Sequence, residues 1–156
     1  MRKLIAPATS FHATELARSG DLTVLHAVLD WIVAQESVSL VVSRMPYKHA
    51  EEARAACLGR LAMEVAKQQV TQVVIDSRRH PFGKDPASLD RKDAQTLSAL
   101  VSCGKLPRGF QAKHYTDSGE PLLWLADAVA WIARRHLTGA DSSWATRMKS
   151  VTVHRV

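Results

Sequence analysis

Residues 120–135 read EPLLWLADAVAWIARR, and the fold expected of the chain turns on this stretch. Pro121 suits the first turn of a helix, where its missing N–H costs nothing. Arg134, Arg135 and His136 fall in the last turn, where cations complement the helix dipole. At 3.6 residues per turn, Leu122, Leu125, Ala126, Val129, Ile132 and Ala133 make one apolar stripe, which predicts a helix docked on a core. Asp127 falls off that stripe, beside Glu120, Trp124, Trp131 and Arg134. A solvated face rarely carries two tryptophans, so Asp127 is expected to look into a cleft or against another element. Its charge would then be compensated by an arginine from elsewhere, a backbone amide or a metal ion. The alternative is a surface acid beside two loosely packed indoles.

Outward from that helix, the hydrophobic period switches back and forth. Phe110 to Tyr115 alternates, with Phe110, Ala112 and His114 on one face and Gln111, Lys113 and Tyr115 on the other, the pattern of a half-exposed strand. Asp90 to Ser102 has a helical period and is closed by Gly104. Val70 to Asp76, VTQVVID, is a Val-rich run closing on an acid, which predicts a central, parallel strand. Open α/β sheets take ligands at the carboxyl ends of such strands, which singles out Asp76. A turn acid capping the next segment would look the same. His80 to Ser88 reads as a polar loop.

Before it, His49 to Gln69 reads as a long helix with Glu51 and Glu52 at its start and a buried face of Ala53, Cys57, Leu58, Leu61 and Val65. Ser37 to Arg44 is a strand ended by Pro46. Leu22, Leu25, Leu29, Ile32 and Val33 recur at helical spacing after Gly20 and Asp21, and FHATEL (Phe11 to Leu16) starts a shorter helix. Residues 1–10 show no period and are expected to be extended or loose. Beyond the 120–135 helix, Ala140 to Lys149 suggests one more short helix and Val151 to Val156 a last strand. Strands alternating with helices of this length imply an α/β fold with a mixed or parallel sheet, as one domain over residues 1–156.

Composition narrows the classes. A chain of 156 residues, 46% hydrophobic, can bury one core and looks like a soluble globular protein. The longest apolar run is too short to span a bilayer and is broken by Asp127. The first residues turn polar too early for a signal peptide. Cys57 and Cys103 make neither a zinc motif nor a disulfide framework, so a cytoplasmic location is expected. A net charge of +6 permits a polyanionic partner. There is no Gly-rich phosphate loop, no HExxH and no G-x-S-x-G elbow. The remaining chemistry lies in the carboxylates Glu15, Asp76, Asp90, Asp93, Glu120 and Asp127. Acids at a strand end and on a facing helix can hold Mg²⁺, and two such ions about 4 Å apart cleave phosphodiesters.

The segments FHATEL, VVIDS, LDRKD, KHY and EPLLWLADAVAW, in that order, resemble a bacterial family of unknown function with a ribonuclease-H-like fold, common in actinobacteria. The resemblance covers Phe11 to about Arg135, and its most specific part is the Leu-rich run into Asp127. It implies a ribonuclease-H-like mixed sheet flanked by helices, and a nuclease dependent on Mg²⁺ or Mn²⁺. Asp76, Asp127 and Glu15 would be catalytic, and Asp76, Asp127 and Asp93 would bind metal, with Asp90 and Asp93 as a paired-acid segment. His12, Lys113, His114 and Arg134 would approach the phosphate. Members begin with a strand carrying Asp-Glu-Ser, which this sequence lacks, so the N-terminal hairpin is expected to be missing or shortened. Either the start lies upstream, a partner chain replaces the strand, or the protein is a non-catalytic module for nucleic acid or protein that keeps the scaffold. An open sheet edge would also favour a homodimer or a partner chain.

Overall fold

The computed structural model describes residues 12–20, 22–34, 39–43, 46–78, 85, 87–116, 118–120, 122–140, 143 and 151–156. The described elements run α1 (Ala13–Ser19), α2 (Leu22–Ala34), β1 (Ser39–Ser43), α3 (Ala50–Ala66), β2 (Gln72–Asp76), α4 (Ser88–Ser102), β3 (Gln111–Tyr115), α5 (Leu122–Leu137) and β4 (Val151–Arg155). The fold is mixed α/β, with two two-stranded sheets, β1–β4 and β2–β3. Among the described residues no helix is long and apolar enough to cross a membrane. The expectations for residues 1–10, most of the 80–88 loop and most of the 140–149 helix lie outside the described residues. The chain divides into two compact units, Met1–Val41 with Asp117–Thr152, and Val42–Thr116 with Val153–Val156.

In the first unit, α1, α2 and α5 share one core. Helical spacing on α2 buries Leu25, Val28, Leu29 and Ile32, which meet Ala13 of α1 and Trp124, Ala128 and Ile132 of α5. Gly20 closes α1 with φ of 77°, a left-handed value that a glycine adopts without strain. The buried face of α5 differs from the stripe expected for it. Leu122 is 62% exposed and Ala126 is exposed, while Trp124 is buried. An indole removes more apolar area from water than a leucine, and burying Trp124 turns the helix away from the Leu122 side.

In the second unit, β2 and β3 run parallel in the register Gln72↔Gln111, Val73↔Ala112, Val74↔Lys113, Ile75↔His114 and Asp76↔Tyr115. One face of this ribbon, with Val73, Ile75 and Ala112, packs on a core of Ala62, Leu97, Leu106 and Phe110. The alternation read in residues 110–115 holds. In a two-stranded sheet β2 is not the central strand expected of VTQVVID, and Val74 is left 38% exposed. Helix α3 buries Ala53, Gly59 and Ala62, while Cys57 and Leu61 are only half-buried. Small residues face the core because α4 comes close: a Cβ on Gly59 would sit 3.2 Å from Leu100 Cδ1.

Leu29, fully buried among α1, α2 and α5, is a direct test of the first core. Leu29→Ala is expected to lower unfolding free energy by about 2–5 kcal/mol in chemical denaturation.

Candidate functional site

The parallel β2–β3 pair brings charged side chains together at its carboxyl end, where α/β sheets commonly carry their sites. Chain leaving β2 passes directly through Ser77 and Arg78. Helices α3 and α4 place Glu51, Arg54, Asp90 and Asp93 in their first two turns. Asp93 is only 2% exposed. Arg54 grips it in bidentate fashion, Nε donating to Oδ1 at 3.0 Å and Nη2 to Oδ2 at 2.8 Å. Arg78 adds a third cationic contact, Nη2 to Asp93 Oδ1 at 2.8 Å. The same guanidinium donates to Glu51 Oε1 at 2.7 Å and to the Leu89 carbonyl at 3.1 Å. The Arg78 backbone N–H donates to Asp90 Oδ1 at 2.8 Å, and the Ser77 hydroxyl to Asp90 Oδ2 at 2.7 Å.

Two carboxylates, Glu51 and Asp93, thus face the two guanidiniums, while Asp90 takes the Ser77 hydroxyl and the Arg78 backbone N–H. Hydrogen bonding to Asp93 raises the pKa of Arg54 above its ordinary value, outweighing the opposing effect of burial. The hydrogen bond from Arg78 holds the Glu51 carboxyl below the ordinary carboxylate value, and Lys67 does the same for Glu64. His114 approaches Asp93 Oδ2 only to 3.7 Å, too far for a hydrogen bond. Its Nε2 and the Nε of Arg78 are buried without a hydrogen-bond partner among the described residues.

The other expected site residues are placed as follows. Asp76 is exposed at the end of β2, and Lys113 is exposed in the middle of β3. In the first unit, Asp127 is partly buried and Oδ2 accepts the Ala13 N–H at 2.7 Å. The compensator of that acid is a backbone amide. His12 stands at the N-cap of α1 and makes no side-chain cap bond, so Asp127 does from α5 what a Ser or Asp cap does locally. Glu15 is exposed in the first turn of α1, Arg134 is exposed near the end of α5, and Glu120 Oε1 accepts the Leu122 N–H at 3.1 Å. The structure therefore joins Asp93, Asp90 and His114 in the second unit, while Asp127, Glu15, His12 and Arg134 belong to the first.

Among the described residues, no group of three or more His, Cys, Asp or Glu side chains is arranged to hold a metal ion. As they stand, Asp93 and Asp90 do not fit one: the oxygens of Asp93 face guanidiniums, and those of Asp90 face a hydroxyl and an amide. Sequence reading missed Arg54, Arg78 and Ser77. The one local signal was the position of Ser77 and Arg78 directly after the strand that ends in Asp76. Compared with protein-family models, curated proteins and solved structures, the chain matches none.

Removing one partner of a buried ion pair leaves charge without compensation. Asp93→Ala is expected to cost about 3–5 kcal/mol of unfolding free energy. Asp127→Ala, which loses a cap, is expected to cost only about 1 kcal/mol by the same denaturant titration.

The depressed carboxyls give the sign of the acid limb. A group with a lowered folded pKa stabilises the fold above its unfolded value and loses that effect as pH falls through the folded value. The thermal midpoint is expected to fall as the pH drops below the ordinary carboxylate range. The drop should be shallower in a Glu51→Gln, Glu64→Gln double variant.

Proposed function

We propose that the chain is a non-catalytic module that binds nucleic acid. One observation carries the reading: Asp90, Asp93 and Asp127 already accept short hydrogen bonds from Ser77, Arg54, Arg78 and Ala13. A metal ion at those acids would have to displace two guanidiniums from Asp93 and the helix-capping amide from Asp127. Cations, by contrast, stand open. Lys105, Arg108, Lys113 and Arg134 are exposed, and the chain carries a net charge of +6. Exposed Lys and Arg side chains that neutralise phosphates release counterions, which gives affinity without turnover. Edges of the two-stranded sheets left unpaired among the described residues would also admit a strand from a second chain.

A ribonuclease-H-like nuclease using Mg²⁺ or Mn²⁺ is the second reading. Asp76, exposed at the carboxyl end of a parallel strand, favours it. Binding and cleavage of labelled oligonucleotides separate the two. Binding should weaken from about 50 to about 300 mM salt with a linear log–log slope, with no cleavage in either metal. Metal-dependent cleavage that is lost in Asp76→Asn and Asp127→Asn would instead establish the nuclease.

A further inference from the structure

The β2–β3 ribbon has a second face that does not enter the core of its unit. It carries Gln72, Val74 and Asp76 from β2 and Gln111, Lys113 and Tyr115 from β3, all exposed. Tyr115 is 43% exposed at one end, Val74 and Lys113 are opposite each other in the middle, and the two glutamines are opposite each other at the far end. An aromatic ring, an aliphatic side chain, a cation and two carboxamides therefore share one pleated surface. Carboxamides offer donors and acceptors that suit base edges, and an exposed phenol ring suits a base face. The charge also fits a polyanion. Lys113 is central, and Lys105 and Arg108 are exposed on the segment leading into β3. Asp76 is the acid on this face, opposite Tyr115 in the register.

We propose that this face binds single-stranded nucleic acid, with Tyr115 stacking on a base and Lys113 meeting a phosphate. The proposal rests on the nucleic-acid reading above and gives it a strand type and an address. A duplex keeps its base faces stacked inside and has none to offer Tyr115.

The test is fluorescence anisotropy of the full chain with a labelled single-stranded 12-mer of uridine and a duplex of equal length. Tyr115→Ala should weaken single-strand binding about tenfold, and Tyr115→Phe should keep it. Lys113→Ala should reduce the salt slope by about one. Arg18→Ala, an exposed site on α1, should change affinity less than about twofold, as should Tyr115→Ala on the duplex. Circular dichroism of the variants checks that they fold. Wild-type affinity in both Tyr115→Ala and Lys113→Ala overturns the platform and leaves the nucleic-acid reading standing if the wild type binds with salt dependence. Preference for the duplex also overturns it. So does a dimer that Tyr115→Ala dissolves while oligonucleotide affinity is unchanged, which would assign the face to a second copy. If the wild type binds neither oligonucleotide, both readings fall.

Discussion

The second unit depends on the guanidinium clamp around Asp93. A carboxylate 2% exposed is tolerated only when its charge is met, and Arg54 and Arg78 meet it from different segments. Arg54 ties helix α3 to helix α4. Arg78 ties the exit of β2 to both helices through Glu51, Asp93 and the Leu89 carbonyl. A buried ion pair often contributes little net stability compared with apolar residues of the same volume. Removing either partner would leave a buried charge uncompensated. Among the described residues, Arg78 Nε and His114 Nε2 find no hydrogen-bond partner. Buried polar atoms left in that state subtract from what the cluster contributes.

The first unit uses one acid in a related way. Helix α1 begins at His12, which supplies no side-chain acceptor to the first turn. Asp127 supplies it from α5, so the helix start is completed only when α5 packs beside it. The carboxylate also sits at the positive end of the α1 dipole. In each unit one acid singled out in the sequence has such a role: Asp93 is paired with arginines and Asp127 completes a helix start. The exposed cations and the outward face of β2–β3 are open to solvent, as are Asp76 and Glu15.

Element order was legible because secondary structure is written in local periods. The alternation in FQAKHY and the spacing of Leu25, Leu29 and Ile32 gave their elements and the faces they bury. Faces were misread where side-chain size outweighs spacing. Trp124 displaced Leu122 from the core, and on α3 Gly59 and Ala62 are buried while Cys57 and Leu61, expected on the buried face, are only half-buried. The site was less legible. Asp93, Asp90 and His114 were picked out and do converge, but the arginines that give the cluster its character were not.

The sequence by itself determined the alternation of helices and strands, the half-exposed character of β3 and the suspicion that Asp127 leans against another element. Only tertiary structure decided what each acid is paired with. Arg54 and Asp93 are 39 residues apart, and Ala13 and Asp127 are 114 apart. A hydrophobic period repeats within a few residues and can be read from the string. A charge partner is chosen by which helix starts and strand ends pack together, and no local pattern encodes that choice.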